Sequence, residues 1–495
     1  MPENKPPRAV LSKSTFIRGV QCEKSLYLHK KRPFLRDKIT ARQLAIFSRG
    51  TKVGVFARQL FPGGVDASPK SHFQMAASAE KTLEYIASGE SIIYEAAFQH
   101  NGVIIALDIL VKDQQGWKAV EVKSSRGISD TYIWDAALQY HVIAGNGILL
   151  KDFSIAYIDE HYVKDDILDP LRLFRQQSVL DRIQQMQESV AEKITRFQEV
   201  INLKSSPLIP LGLQCTNPYA CDFTGHCWKK IPEGSVFQLR GLSDEKKFGF
   251  YAQGIVQARE IPAHELDQRL MRQVQAITGD TIMADQDRIR EYLARVKEPP
   301  VFLSILWGQP AMPSFKGMRP YQRQPFSMVV DYPAETKREN FLMVIPPDEA
   351  MQVAHLEMLL AALEGSSSIL VFNASSHIEV LRVASRGIPH LEEAVDALWP
   401  RMTDLQSPFQ DDTVVWPRMN NWQMPEDILY SMKKEVTSHE TKPASLLEAS
   451  LLYQQLIVNE DAMEKTEGIQ AIGRYHQGAM LALKKLWQVL KELSQ

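Results

Sequence analysis

Long apolar runs are absent from this 495-residue sequence, and so are the marks of several functional classes. No stretch of about 18 consecutive apolar residues occurs, so we expect no membrane-spanning helix. The amino-terminal residues lack the apolar core of a secretory signal, which favours a cytoplasmic protein. No phosphate-binding loop of the GxxxxGK[ST] type is present, so we expect no helicase motor in this chain.

Net charge gives little sign of a nucleic-acid partner, because it is only −2 over the whole chain. Its distribution is uneven. Residues 1–60 hold fourteen Lys or Arg against three acidic residues, a sum of +11, so the remainder sums to −13. Such a local basic segment indicates a phosphate-binding face, and an ordinary solvated surface is the alternative. With 44% hydrophobic and 23% charged residues, the composition is typical of a globular protein with two or three domains.

Cysteine is scarce, and its placement is uneven. Of the four cysteines, Cys215, Cys221 and Cys227 stand within thirteen positions, whereas Cys22 comes nearly two hundred residues earlier. Disulfides are disfavoured in the cytosol. Four thiolates suit a [4Fe–4S] cluster or a structural zinc ion, but the tight C-x₂₋₄-C pairs typical of zinc sites are missing. We therefore favour an iron–sulfur cluster, with zinc as the alternative.

The stretch from residue 91 to 143 is predicted to form three strands and a helix. Residues 91–98 are rich in β-branched and aromatic side chains, and Asn101-Gly102 is a strong hairpin signal before a second strand over 103–111. A third strand follows over 117–124. A helix that carries Gln139 follows this strand.

Further elements are predicted along the rest of the chain. Apolar residues from 183 to 201 mark one face of a long amphipathic helix. After residue 300, strands are expected over 301–306, 326–331, 341–345 and 368–372, with a helix over 350–363. Strands followed by an alternation of helix and strand predict the α/β class.

Three polar residues stand out on the second and third strands. Asp108 lies on the second, whereas Glu121 and Lys123 share one face of the third, since side chains alternate along a strand. Carboxylates are hard ligands for Mg²⁺ or Mn²⁺, which can activate water, and a lysine can stabilise charge on a phosphate in the transition state. A second Glu-x-Lys, at Glu245–Lys247, lies in a charged run and indicates only a solvated surface.

The spacing D-x(12)-E-x-K on a hairpin resembles the RecB-like branch of the PD-(D/E)XK nucleases. This resemblance implies a restriction-endonuclease-like core with helical flanks and a metal-dependent nuclease of DNA repair, recombination or defence. Gln139 matches a glutamine that this branch carries on the following helix, on one face with Asp135. The metal-binding histidine of the branch has no counterpart in residues 49–57. Glu95 could replace it, or could be an ordinary edge-strand charge.

The arrangement of the cysteines adds to this resemblance. One early and three late cysteines resemble the iron–sulfur clasp of AddB-type helicase–nucleases and CRISPR-associated RecB-like nucleases, although the C-x-x-C common there is missing. The resemblance implies a [4Fe–4S] cluster on all four cysteines and Mg²⁺ or Mn²⁺ on Asp108 and Glu121. It also implies single-stranded DNA or DNA ends as substrate, and a helicase or another DNA-processing protein as partner.

The carboxyl-terminal half gives a weaker resemblance. A break at Glu298-Pro299-Pro300 predicts three parts: a nuclease domain over 1–235, a helical connector over 236–299 and a domain over 300–495. In the last part, Pro313–Gln322 resembles a bacterial domain family that couples a RecB-like nuclease to a DnaQ-like exonuclease of RNase H-like fold. Ser304 and Leu306 stand where that exonuclease needs acids, and Tyr475–Met480 lacks the final acid. The resemblance therefore implies a degenerate domain, used for binding or architecture.

Two hypotheses follow for the whole chain. The first is a Mg²⁺- or Mn²⁺-dependent deoxyribonuclease, with Asp108, Glu121, Lys123, Gln139 and Glu95 at a site that faces solvent. The second is a scaffold that binds nucleic acid without cutting it and keeps the nuclease fold and the cluster.

Overall fold

The computed structural model describes residues 11–69, 71, 74–347, 353–419, 422, 424–434 and 443–495. Its contacts divide the chain into two compact units. The first takes the described residues up to Lys230 together with Ala311–Tyr321, and the second takes Ile231–Pro310 and the described residues from Gln322 onwards. Each unit combines helices with a mixed β-sheet. Among the described residues, no helix combines the length and the apolar character that a bilayer crossing requires.

A seven-stranded mixed sheet forms the centre of the first unit. Its strands are β1 (Leu11–Ser12), β2 (Val65–Asp66), β3 (Ile92–His100), β4 (Val103–Asp113), β5 (Gly116–Lys123), β6 (Leu150–Ile158) and β7 (Phe174–Ser178). Six of them follow the order β2-β3-β4-β5-β6-β7, and β1 pairs with β4. The predicted hairpin is confirmed, because Asn101 and Gly102 both have positive φ, 47° and 73°, as a tight two-residue turn requires.

The helices of the first unit pack on both faces of this sheet. They are α1 (Lys13–Gln21), α2 (Glu23–Lys31), α3 (Ala41–Ala57), α4 (Met75–Ala87), α5 (Asp130–Gly145), α6 (Pro170–Leu173), α7 (Leu180–Gln185), α8 (Gln187–Asn202) and α9 (Thr224–Cys227). Single 3₁₀ turns cover Pro33–Leu35, Arg58–Leu60 and Leu213–Cys215. The long amphipathic helix expected over residues 183–201 is interrupted at Met186, so its apolar face is shared by α7 and α8.

Each face of the first sheet has its own core. Ala119 of β5 packs in a cluster with residues of α1, α5 and α8, such as Phe16 and Leu138. Val120, the next residue, packs in a second cluster with Val53 of α3 on the opposite face. Alternation therefore turns Glu121 and Lys123 towards the side of α5.

The second unit has a five-stranded sheet of order β11-β10-β9-β12-β13 and a separate β8–β14 pair. The strands are β8 (Met283–Ala284), β9 (Val301–Gly308), β10 (Gln324–Asp331), β11 (Phe341–Val344), β12 (Ile369–Val371), β13 (Met402–Asp404) and β14 (Val414–Val415). β9 pairs antiparallel with β10 and parallel with β12. The strands predicted after residue 300 are therefore present.

Ten helices are described in the second unit. They are α10 (Asp244–Ala252), α11 (Gln268–Gly279), α12 (Gln286–Ala294), α13 (Val353–Ala362), α14 (Ala374–Ser385), α15 (Pro389–Asp396), α16 (Ser407–Gln410), α17 (Pro425–Ser431), α18 (Leu446–Val458) and α19 (Ala462–Leu493). Short 3₁₀ turns cover Val236–Gln238, Ala258–Glu260, Ala263–Glu265, Ala334–Thr336 and Trp399–Arg401. Residues 350–352, the predicted start of α13, lie outside the described residues.

The units differ from the three expected parts. Residues 236–299 belong to the second unit and not to a separate connector, because Ala276 of α11 and Ile289 of α12 pack in one core with Leu486 of α19. Residues 311–321 belong to the first unit, although β9 and β10 on either side of them belong to the second. Burial of apolar surface, not position along the chain, decides both assignments.

Candidate active site and cysteine cavity

Strand β4 changes partners along its length, and the candidate site opens at this change. Its residues Ile109–Asp113 pair with β5, whereas Val103 and Ile104 pair with β1. Beyond the Ile109–Val120 pair, the Asp108 carboxylate accepts a hydrogen bond from the Val122 backbone N–H at 2.6 Å. A side chain thus replaces a backbone acceptor where the two strands diverge, which leaves room for polar side chains beside β5.

Three of the predicted residues, Glu121, Lys123 and Gln139, form one hydrogen-bonded group together with Asp135. The Lys123 ammonium lies 2.6 Å from both Glu121 Oε1 and Asp135 Oδ2. Asp135 lies on α5, and its Oδ1 accepts from Gln139 Nε2 at 3.3 Å, one helical turn further on. Strand alternation on β5 and helix periodicity on α5 together explain why these side chains converge.

Lys13 completes the cluster and was not anticipated from the sequence. Ser12 caps α1 by accepting from Thr15 N, so Lys13 opens the helix directly after β1. Its ammonium lies 2.8 Å from Glu121 Oε1 and 3.9 Å from Asp135 Oδ2. In the sequence, Lys13 is only a lysine that follows a capping serine, which is a common pattern. The pairing of β1 with β4 is what brings Lys13 to the site.

The site is almost closed, which corrects the expectation of a solvent-facing one. Glu121, Asp135 and Gln139 are buried, at 1%, 5% and 0% exposure. The Lys123 side chain is 16% exposed. Helices α1 and α5 both pack over this part of the sheet, so the charged groups are paired with one another instead of with water.

Burial and pairing set opposite charge states for the two central carboxyls. Burial raises the pKa of Asp108 to about 8, and the negative charge of Glu121 adds to this rise. Burial also opposes ionisation of Glu121, but the charges of Lys123 and Lys13 outweigh it and lower the pKa of that carboxyl well below its usual range. Without a bound cation, Asp108 therefore carries a proton over much of the neutral range, whereas Glu121 is ionised.

Glu95 lies on the strand next to Asp108. The flanking pairs Tyr94–Ile109 and Ala96–Leu107 place Glu95 opposite Asp108, and its φ of 53° falls in the left-handed region. Burial raises the pKa of Glu95, and the charge of Glu121 contributes to the rise while Lys13 opposes it. Its nearest ion-pair partner is Arg58, at 3.8 Å. A strained backbone position beside a second carboxyl is more typical of a functional residue than of an ordinary charged residue on an edge strand.

The donor set fits a divalent cation of the Mg²⁺ type. Glu121 Oε2 and Gln139 Oε1 are buried without a hydrogen-bond partner, so the site has acceptor capacity that the protein does not use. Among the described residues, no three His, Cys, Asp or Glu side chains are arranged to hold a metal ion by themselves. Two carboxylates completed by water are nevertheless a usual arrangement for Mg²⁺.

The four cysteines line one cavity, together with Ser25, Phe223 and Trp228 among others. Cys22 lies at the break between α1 and α2, and all four cysteines are half-buried and free of disulfides. Burial raises the pKa of Cys22, and the neighbouring Cys221 and Cys215 contribute to the rise. Thus the structure brings together residues nearly two hundred positions apart.

Polar contacts fasten the loop that carries the late cysteines to α1. The Gln21 side chain donates to the backbone carbonyls of Gln214 and Tyr219, at 2.8 and 2.7 Å. Arg18 lies 2.7 Å from Asp222. These contacts hold the loop beside α1 without any ligand. The cysteines of the described residues do not, as they stand, form a group of three or more that could hold a metal ion, so binding of a cluster would have to draw them closer together.

The cysteine loop also reaches the active site. Tyr219 of the loop lies close enough to Tyr132 on α5 that Tyr132, after burial, contributes to the raised pKa of Tyr219. The Lys123 ammonium lies 5.1 Å from the centroid of the Tyr132 ring, and a cation over an aromatic face is attracted by it. Tyr132 thus lies near both Lys123 and the loop.

In the second unit, a buried histidine lies beside Ser304 of β9. His476 of α19 is fully buried and lies between Ser304 Oγ, at 2.9 Å from Nε2, and Ser327 Oγ, at 2.7 Å from Nδ1. Asp404 accepts from the backbone N–H groups of Asn373 and Ala374, at 2.8 and 2.9 Å, and so caps α14. The contacts of His476 and those of Asp404 thus stabilise the fold of the second unit.

Acidification should destabilise the second unit through His476. Burial lowers the pKa of His476 from its ordinary value of 6.5 to about 3, and His377 adds to the effect. A group with a depressed folded-state pKa stabilises the neutral protein fully above pH 6.5 and loses that contribution as the pH falls towards 3. At about pH 5 the loss should reach about 2 kcal/mol.

The measurement is urea unfolding at about pH 7 and about pH 5, for wild type and His476→Gln. The variant should show the smaller pH dependence. His264→Gln is the control, because the side chain of His264 is 80% exposed. An equal pH dependence in wild type and His476→Gln would contradict this account of His476.

Comparison with known proteins gives two similarities. Residues 308–422 match the family described as "Domain of unknown function (DUF2779)". No curated protein matches. A solved structure titled "Crystal structure of SSO0001" is similar at 12% identity and a TM-score of 0.25, over 45% of this chain and 87% of that chain. This score is too low to define a shared fold.

Proposed function

We propose that the first unit is a Mg²⁺- or Mn²⁺-dependent deoxyribonuclease that hydrolyses phosphodiester bonds. The observation that supports this most directly is the convergence of Asp108, Glu121 and Lys123 where β4 and β5 diverge. Asp135 and Gln139 support the same group from α5. A carboxylate pair and a lysine on diverging strands match the chemistry of metal-assisted phosphate hydrolysis.

Asp108 and Glu121 would hold the cation, which supplies Lewis-acid activation of water and of the phosphate when bound. Lys123 keeps Glu121 ionised and presents a positive charge beside the position of the phosphate, where it can orient the attacking water and stabilise developing negative charge. Gln139 positions Asp135, which in turn fixes the lysine. Lys13 adds a second positive charge on Glu121.

The proposal also covers the folds of the two units, the cysteine-bound cofactor and the DNA substrate. We infer a PD-(D/E)XK restriction-endonuclease-like core for the first unit and an RNase H-like fold without catalytic acids for the second. The convergence of Cys22, Cys215, Cys221 and Cys227 supports a [4Fe–4S] cluster, with a structural zinc as the alternative. Single-stranded DNA or DNA ends as substrate, a helicase or other DNA-processing partner, and a role in repair, recombination or defence rest on the sequence resemblance.

A scaffold that binds nucleic acid without cutting it is the second candidate. The closure of the site favours it, because Glu121 Oε1 already pairs with both Lys13 and Lys123 without a cation. Buried networks of this kind also occur for structural reasons.

Incubation of the purified chain with end-labelled single- and double-stranded DNA and Mn²⁺ separates the two candidates. The nuclease proposal expects shortened products that EDTA suppresses. Tight binding of DNA with no cleavage under Mg²⁺ or Mn²⁺ would establish the scaffold instead.

The second unit should contribute no digestion of its own. Ser304 and Leu306 stand on β9 where acids are needed, and Ser304 is engaged with His476. In full-length protein with Asp108→Asn, end-directed digestion should therefore fall to background with either metal. Residual metal-dependent shortening of labelled ends in that variant would show that the second unit is active.

A further inference from the structure

The segment 311–321 is built into the first unit by several kinds of contact. Ala311 is buried in the core that also contains Val120 of β5. Gly317 N donates to the carbonyl of Lys164 at 2.8 Å, and Lys164 N donates to that of Met318 at 3.0 Å. Apolar burial and two backbone hydrogen bonds thus fix this segment on the first unit.

Tyr321 ends this segment, and its ring lies close to two arginines. The guanidinium carbon of Arg49 lies 5.6 Å from the centroid of the Tyr321 ring, and that of Arg126 lies 5.7 Å from it. The φ of Tyr321 is 59°, in the left-handed region that a bulky side chain rarely adopts. The surrounding structure therefore holds the ring at a backbone cost, which is typical of functional positions.

The two arginines have hydrogen-bonding capacity to spare. Arg49 Nε is buried with no hydrogen-bond partner, and none of the ion pairs among the described residues includes Arg49. Arg126 has an exposed contact with Glu160, at 3.3 Å. A buried guanidinium donor without a partner is unfavourable, and an anionic ligand would relieve it.

This group lies at the edge of the candidate active site. Arg126 follows Lys123 by three residues, and Ser124 lies beside the Tyr321 hydroxyl. Tyr132, over which the Lys123 ammonium is placed, is close enough to Tyr321 to affect its ionisation. A phosphate bound by the two arginines would therefore lie next to the phosphodiester bond that is proposed to be cleaved beside Lys123.

We propose that Arg49 and Arg126, both placed at the ring of Tyr321, bind a backbone phosphate of the DNA strand, so that the segment 311–321 forms part of the substrate-binding site. This inference rests on the proposed nuclease function, and it names a contact for the DNA substrate of that function. Arginine forms bidentate bonds to phosphate, and Tyr321 acts as a positioning residue that sets the spacing of the two guanidinium groups.

Binding is measured on the full chain in EDTA, with a fluorescein-labelled single-stranded DNA oligonucleotide and fluorescence anisotropy. Arg49→Gln and Arg126→Gln should each raise Kd about five- to tenfold and reduce the slope of log Kd against log salt by about 0.7. Lys151→Gln is the matched control, because it removes the same charge from an exposed position on β6, outside the basic segment 1–60, and should change Kd less than about twofold.

Two variants of Tyr321 separate positioning from folding. Tyr321→Ala should weaken binding about as much as the arginine variants, whereas Tyr321→Phe, which keeps the ring, should restore most of the affinity. Wild-type Kd and salt slope in both arginine variants, or no DNA binding by the wild type, would overturn the inference. Binding without cleavage would refute only the nuclease proposal, whereas cleavage with an unaltered Kd in both variants would refute only the arginine contacts.

Discussion

Asp108→Asn should abolish DNA cleavage while leaving the fold almost unchanged. Burial raises the pKa of Asp108 to about 8, so a neutral amide resembles the protonated carboxyl of the metal-free protein. The amide oxygen can still accept the Val122 backbone hydrogen bond, and we expect the free energy of unfolding to change by less than about 1 kcal/mol. Cleavage should fall by at least about 10²-fold, because a metal ligand is lost.

Lys123→Met should also remove activity, but with a cost in stability that the sequence alone did not suggest. Lys123 pairs with Glu121 and Asp135 in a nearly closed site, and removing one partner of a buried ion pair leaves the other uncompensated. Since Lys13 remains in contact with Glu121, we expect a loss of about 2–3 kcal/mol in the free energy of unfolding. Cleavage should fall on the order of 10²- to 10³-fold.

Both variants are tested by cleavage of labelled DNA with Mn²⁺ and by urea unfolding. Asp113→Asn is the matched control, because Asp113 is an exposed residue at the far end of the same strand and pairs with Lys118. Full cleavage by either Asp108→Asn or Lys123→Met would refute the assignment of the site.

Cys22→Ser should give the second large effect, on the cluster and on stability. The four cysteines line one cavity, and a cluster bound there would join α1 to a loop nearly two hundred residues later. Constraints over long loops stabilise most, so we expect a loss of about 3 kcal/mol or more in the free energy of unfolding. Cleavage should fall as well, because Tyr219 of the same loop lies near Tyr132, whose ring is 5.1 Å from the Lys123 ammonium.

Anaerobic purification provides the direct measurement. Wild-type protein should be brown, with broad absorbance near ~400 nm from sulfur-to-iron charge transfer and about four iron atoms per chain. Cys22→Ser should lose this absorbance, whereas Thr216→Ser, at an exposed position next to Cys215, should keep it. A colourless wild type with about one zinc per chain would replace the cluster with zinc. A colourless wild type without metal would refute both.

The sequence by itself determined those features that depend on neighbouring residues. Asn101-Gly102 sets the hairpin because both positions need positive φ. The alternation of β5 places Glu121 and Lys123 on one face, and the helical period places Asp135 and Gln139 on another. The last two predictions use a period of two or of 3.6 residues, which the backbone of a single strand or helix sets by itself.

Only the tertiary structure decided which distant segments complete the site. Lys13 enters because β1 pairs with β4, and Glu95 faces Asp108 because of the register of β3. The closure of the site depends on how α1 and α5 pack over the sheet, and the place of residues 311–321 depends on the burial of Ala311. Packing of apolar surface between distant segments leaves no periodic mark in the local sequence, which is why these contacts could not be anticipated from it.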